Sequence, residues 1–277
     1  MTGSIDTHQD AIAFIGGGNM ASAIIGGLVR QGLPAAHIEV VEPFAEARGR
    51  LREQFGIDAQ ETAGAALARA TLVVWAVKPQ TFKAAAAAAR AHTSTALHLS
   101  VAAGIRSDSI AQWLGTQRIV RSMPNTPALV GKGMTALYAR PAVSAGDKAR
   151  VEQVIATTGD FLWVDDEALL DAVTALSGSG PAYVFFFLEA MTQAGIEMGL
   201  SREQAYQLSV GTFAGASELA RASQDPPEVL RQRVTSKGGT TYAAITSMEQ
   251  DAIQRLFIKA LHAARARAAE LGDEFGT

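Results

Sequence analysis

Apolar residues come in short blocks between glycine-rich or polar turns up to about residue 165, and in long helical stretches after it. Ala11-Ile12-Ala13-Phe14-Ile15, followed directly by three glycines, predicts a buried strand, because a strand covered on both faces loses polar alternation. Further strands are predicted over residues 38–42, 72–77, 96–101, 119–122, 134–139 and 161–164. Amphipathic segments predict helices from the glycine run to about Gln31 and over residues 45–55, 80–90, 107–114 and 145–157. This alternation predicts an α/β domain with a mostly parallel sheet covered by helices.

Beyond Asp165-Asp166 no strand is predicted. Helical stretches are broken near residues 177–181, 199–200, 225–227 and 236–239. The chain therefore divides into a flexible tail (residues 1–10), an α/β domain (residues 11–165) and an all-helical domain (residues 166–277). Gly211 and Gly215, one turn apart, admit close approach of a neighbouring helix. So small and apolar a helical domain is expected to hide surface against a second copy of the chain.

Composition narrows the function classes. A net charge of −3, with Lys and Arg spread along the chain, argues against a nucleic-acid partner. The absence of cysteine excludes disulfides, thiolate nucleophiles and cysteine metal sites, and fits a cytoplasmic protein. No metal site is expected. The apolar runs are shorter than the ~20 residues a membrane helix needs. Of the five histidines, none falls in a motif-like segment, and there is no lysine between Lys148 and Lys237.

Gly16-x-Gly18-x-x-Ala21 follows a predicted strand and opens a helix, as a dinucleotide fingerprint requires. This predicts a Rossmann-type domain whose cofactor lies along Gly16, Gly18, Asn19, Met20 and Ala21. Glu42, 26 residues after Gly16, stands near the spacing of a ribose-binding acid and leans towards NADH. Arg48 and Arg50 can instead turn towards a phosphate, so NADPH stays open. The strand-end turns Ala76-Val77-Lys78-Pro79 and Ala102-Ala103-Gly104 should border the same cofactor.

A second anion site is predicted in Thr235-Ser236-Lys237-Gly238-Gly239-Thr240-Thr241, just before a helix expected to begin at Tyr242. The first amides of a helix lack partners and carry partial positive charge, which suits a small carboxylate. Two anion sites on one chain suggest a cofactor and a substrate.

Five segments together resemble the pyrroline-5-carboxylate reductase family, and the resemblance covers residues 11 to about 271. Three are residues 14–21, 76–80 (Ala-Val-Lys-Pro-Gln) and 123–127 (Met-Pro-Asn-Thr-Pro). The other two are residues 176–183 (Leu-Ser-Gly-Ser-Gly-Pro-Ala-Tyr) and 234–241. The resemblance implies an N-terminal Rossmann-type domain, a C-terminal all-helical dimerisation domain and, in some members, decamers. It implies reduction of a cyclic imine to proline with NADPH or NADH. The substrate carboxylate would be held by Ser236, Gly238, Gly239, Thr240 and Thr241, with the Thr241 hydroxyl at the ring nitrogen as the catalytic group. Glu167 and Ser177 would lie at the substrate pocket, and Asn125 beside the nicotinamide.

Three positions depart from the family's pattern: Lys237 replaces the usual proline, Glu42 stands where some NADPH users carry serine, and Ala63 replaces an asparagine. The chemistry suits the composition. An iminium accepts hydride to give a neutral amine, so geometry matters more than a strong acid such as histidine. The related β-hydroxyacid dehydrogenases use a lysine early in their second domain, where this chain has none.

Overall fold

The computed structural model describes residues 11–276; the expected flexible tail, residues 1–10, lies outside the described residues. Strands and helices alternate as β1 (Ile12–Ile15), α1 (Asn19–Arg30), β2 (Ile38–Val41), α2 (Ala45–Phe55), β3 (Leu72–Trp75) and α3 (Pro79–Ala89). Next come β4 (Leu97–Ser100), α4 (Ser107–Leu114), β5 (Ile119–Met123), β6 (Gly133–Ala139), α5 (Ala145–Ile155) and β7 (Gly159–Trp163). The sheet order is β2-β1-β3-β4-β5-β6-β7. The first five strands run parallel, β6 turns antiparallel to β5, and β7 follows β6.

Alternate residues of each central strand enter opposite apolar layers. Ile12, Phe14, Leu72 and Val74 pack with Ile24, Ile25 and Leu28 of α1. Ala13, Ile15, Val73 and Trp75 pack with Phe82 and Ala86 of α3 and Ile110 of α4. Covering both faces explains why these strands read as unbroken apolar runs. Each fully buried leucine or isoleucine here contributes about 1.5–3 kcal/mol.

After β7 the described chain is helical. α6 (Leu169–Val173) runs into a π-turn, Thr174–Gly178, closed by the Ser179 amide on the Thr174 carbonyl (2.8 Å). The expected break at residues 177–181 is therefore a widened turn that leads directly into α7 (Gly180–Glu197). Then follow α8 (Arg202–Ala222), α9 (Pro227–Arg233), α10 (Thr240–Gln250) and α11 (Ile253–Phe275). Among the described residues no helix is long and apolar enough to cross a membrane.

By packing, the chain forms two compact units: one up to Ser179 plus the stretch from Ala264 onward, the other Gly180–Ala263. The change of texture near residue 165 thus precedes the division in packing. Glu167 ties the start of α6 to α4 and β5. The end of α11 is also held in the first unit, by Arg106–Asp273 (2.6 Å) and the Ser109 hydroxyl on the Gly276 carbonyl (2.7 Å). In the second unit, Phe257 meets the ring edges of Tyr183 and Phe187. Within the chain a Cβ on Gly211 or Gly215 would meet nothing within 4 Å, so their expected neighbour is not found there, whereas one on Gly195 would lie 2.7 Å from Ala205 Cβ.

Candidate active site

The first unit gathers the predicted cofactor residues at one edge. β1 and β3 are neighbours although β2 lies between them in sequence, so the loops leaving both meet at the switch point of the sheet. Gly16 has φ +98°, and a Cβ there would sit 2.5 Å from the Ala76 carbonyl oxygen. Glycine is needed both for the turn and for this contact. A Cβ on Gly18 would meet nothing within 4 Å, which leaves the room a pyrophosphate requires. The first bond of α1 is Ser22 N–H to Gly18 O (2.9 Å), so the amides of Asn19, Met20 and Ala21 precede it as potential anion donors.

Lys78 holds the N-cap position of α3 with Pro79 as first helical residue, and the Ala76 amide pairs with the Ile15 carbonyl (2.8 Å). Val77 is packed against the second apolar layer. One strand further, the Ala102 amide bonds the Ser100 hydroxyl (3.3 Å) and Ala103 leads to Gly104 at φ +71°. The end of α11 backs this turn: a Cβ on Gly104 would lie 3.3 Å from Leu271 Cβ.

Three residues of the expected site make bonds within the chain. Glu42 is buried, and its two carboxylate oxygens accept from the amides of Gly17 (2.8 Å) and Phe44 (2.9 Å). Glu167 is held within the chain: Oε1 accepts from Arg121 and from the Ser107 amide, each at 2.6 Å, and Oε2 from the Ser107 hydroxyl at 2.5 Å. Ser107 opens α4, so Glu167 caps that helix while neutralising a buried arginine. Asn125 also spends its amide internally, donating to the Ser177 hydroxyl (3.1 Å) and accepting from the Met134 amide (2.9 Å). Asn125 and Ser177 are thereby brought together at the π-turn.

The second unit contains the other predicted site. Gly238 has φ +76°, and the Gly239 amide closes a four-residue turn on the Ser236 carbonyl (3.0 Å). Lys237 and Gly238 are its two central residues, the arrangement of a type II turn. The helix begins at Thr240, two residues earlier than expected, and its first bond is Ala243 N–H to Gly239 O (3.1 Å). The Gly239 amide is used within the turn, while those of Thr240, Thr241 and Tyr242 precede the helical ladder. Beside them lies a cavity of about 340 Å³ lined by Arg231, Gln232, Thr235, Lys237 and Tyr242.

Sequence reasoning passed over three of these residues. Tyr242 was read only as the start of the helix, and Phe44 was not singled out although its ring is highly exposed beside Glu42. Arg121 was the most detectable, because a cation inside an apolar strand needs a buried partner.

A mostly parallel sheet with a glycine loop at its switch point, followed by a helical unit, is the layout of the two-part nicotinamide-dependent oxidoreductases. A sequence profile for pyrroline-5-carboxylate reductase dimerisation matches residues 167–271, and one for NADP oxidoreductase, coenzyme F420-dependent, matches residues 11–104. The pyrroline-5-carboxylate reductase of Pseudomonas aeruginosa is 49% identical over 267 residues, 96% of this chain and 98% of its own length. The chain belongs to the pyrroline-5-carboxylate reductase family. Among solved structures, the Coxiella burnetii reductase superposes with a TM-score of 0.88 at 38% identity, covering 95% of this chain and 99% of that one. The Plasmodium falciparum enzyme, solved with NADP bound, gives 0.85 at 27% identity, covering 95% and 98%.

Proposed function

We propose that this chain performs its family's reaction, reduction of 1-pyrroline-5-carboxylate to L-proline with NAD(P)H, with the turn at residues 236–241 gripping the substrate carboxylate. The observation that carries this reading is the first turn of α10. Gly238 sets the entry, and the amides of Thr240, Thr241 and Tyr242 stand ahead of the first helical hydrogen bond. Lys237 adds positive charge at the same place.

When bound, the nicotinamide supplies the hydride. The residues of this chain provide geometry. Gly16 shapes the turn, its amide being spent on the Val41 carbonyl (2.8 Å), and the amides of Gly18, Asn19, Met20 and Ala21 would hold the pyrophosphate. The turns at Ala76, Val77, Lys78 and Pro79 and at Ala102, Ala103 and Gly104 border the rest of the cofactor. Thr241 would place its hydroxyl against the ring nitrogen of the protonated imine, whose reduction gives a neutral amine and asks no strong acid of the chain. Ser236 and Gly238 act by shaping the turn, and Gly239 by capping the helix. Glu167, Ser177 and Asn125 are positioning residues: their bonds to one another's elements hold β5, α4 and the π-turn in place.

Changing Thr241→Ala tests the assignment. The variant is expected to fold normally and to lose on the order of 10²-fold in kcat with little change in the KM for NAD(P)H. Turnover within a few-fold of wild type would reject the role of Thr241.

The protein is further proposed to work in the cytoplasm as a homodimer through its helical part, with decamers as a higher assembly. The exposed Phe185, Phe186 and Leu219 of the second unit support this, as does the lack of any cysteine. Neither nucleic acid nor a membrane enters this reading.

A further inference from the structure

The turn that leaves β4 has no hydrogen bond to hold its own shape. Among the described residues, the amides of Ala103, Gly104 and Ile105 find no partner within the chain. Only its flanks are tied: the Ala102 amide to the Ser100 hydroxyl (3.3 Å) and the Ser107 amide to Glu167 (2.6 Å). Between them Gly104 stands at φ +71°, a conformation that suits glycine. The path of the turn is therefore set by what packs on it.

That packing comes from the far end of the sequence. A Cβ on Gly104 would lie 3.3 Å from Leu271 Cβ and 3.5 Å from Phe275 Cδ2, so both side chains of α11 cover the glycine face of the turn. Phe275 also packs against the apolar layer that holds Ala102, Ile105 and Ile110. Gly272 is the reciprocal notch, since a Cβ there would sit 3.1 Å from Arg106 Nε. The Arg106 guanidinium thus lies across Gly272 and reaches Asp273 (2.6 Å), and the Ser109 hydroxyl donates to the Gly276 carbonyl (2.7 Å). The side chains of Arg106 and Asp273 are 51% and 75% exposed, so their ion pair guides the fit more than it strengthens it. The packing of Leu271 and Phe275 carries the contact.

The contact also lies where half of a dinucleotide must rest. β1 and β2 form one side of the switch point, and β3 and β4 lie on the other. In such a sheet each side holds one mononucleotide half beyond the carboxyl ends of its strands. With the glycine loop and β2 on the adenosine side, the turn after β4 belongs to the nicotinamide side.

We infer that the last turn of α11 is a positioning element for the cofactor, with Leu271 and Phe275 holding the Ala102–Gly104 turn in the form that receives the nicotinamide half. The inference rests on the reductase reading above and deepens it. Leu271 and Phe275 touch no reacting group; they act through Gly104. The effect is reciprocal, because whatever the docking of α11 adds to cofactor affinity, the cofactor adds to that docking.

The test uses the full chain. In titrations of NADH and NADPH followed by reduced-nicotinamide fluorescence, Leu271→Ala and Phe275→Ala should each raise the dissociation constant of the tighter cofactor by about five- to tenfold. Phe275→Leu, which keeps apolar bulk on Gly104, should stay within about twofold of wild type. Val151→Ala, in the buried core under α5, should lower thermal stability and leave the dissociation constant unchanged, which separates positioning from general loosening. In wild type, saturating cofactor should slow amide hydrogen exchange at residues 271–275 as well as at 103–106. With pyrroline-5-carboxylate as substrate, the two alanine variants should raise the KM for cofactor, while kcat and the KM for the imine stay within about twofold. Unchanged dissociation constants in the folded alanine variants, or an equal rise in Val151→Ala, overturns the inference. So does exchange at residues 271–275 that ignores the cofactor, a readout that decides even where the variants fail to fold. Neither binding nor exchange involves the imine, so a chain that binds cofactor without reducing pyrroline-5-carboxylate fails the reductase reading alone, and these two readouts still decide the inference.

Discussion

Glu167 illustrates how one side chain changes meaning between sequence and structure. As an acidic residue at a family-matched position it was expected at the substrate pocket; its oxygens are in fact held by Arg121 and Ser107. Arg121 is 6% exposed, and removing the counter-charge of a buried cation costs more than the pair contributes over an apolar substitute. Glu167→Gln should therefore lower unfolding stability by about 2–4 kcal/mol, the partial exposure of Glu167 reducing the full penalty. Urea titration measures this, and the KM for the imine should stay within a few-fold. A raised KM with unchanged stability would restore the substrate role. Arg121 carried the only readable hint, since position along a sequence does not reveal which acid a buried arginine will find.

At the scale of the element, the 236–239 turn is the most informative. The glycines and hydroxyls were legible because a left-handed residue before a helix restricts the choice of side chain. The start of the helix was not legible, and it falls two residues earlier than the sequence suggested. Lys237 occupies the second position of the turn, where proline's fixed φ is well tolerated, and Gly238 follows with φ +76°. Lys237→Pro should raise stability by about 0.4–1 kcal/mol through a less flexible unfolded chain. It should also lower the KM for the imine if pre-ordering outweighs the lost charge. Thermal unfolding and steady-state kinetics on the same preparation separate the two effects. A stability loss above about 1 kcal/mol would show that the turn is not of this type.

The whole molecule responds to pH through a residue remote from any predicted site. His98 is 1% exposed, and Nδ1 accepts the Trp75 indole N–H at 3.0 Å. Burial pushes its pKa down from 6.5 to about 4; the Thr93 carbonyl partly offsets this and the charge of Arg118 adds to it. Above pH 6.5 the ring is neutral in folded and unfolded chains alike and carries no penalty. As pH falls from 6.5 to about 4 the unfolded chain takes up the proton first, so stability declines. The total loss is about 3 kcal/mol. Denaturation midpoints at pH 7.5, 6 and 5 should fall in that order, and His98→Gln should flatten the slope across this window. Assembly is read at the same scale. Sedimentation is expected to give a dimer or a larger even assembly, and Phe186→Asp in the exposed aromatic pair should shift it towards monomer. A monomeric wild type would remove the dimer from the reading.

Local pattern determined much of this protein: the alternating strands and helices, the glycine loop and the turn before α10 all follow from periodicity and backbone freedom over a few residues. Tertiary structure decided what those rules cannot reach. It placed the end of α11 with the first unit, gave Glu167 to Arg121 and Asn125 to Ser177, and clamped Glu42 between two amides. The physical reason is the same in each case. A buried charge or amide must find its partner among groups brought close by folding, and that neighbour can lie more than fifty residues away or on the next strand.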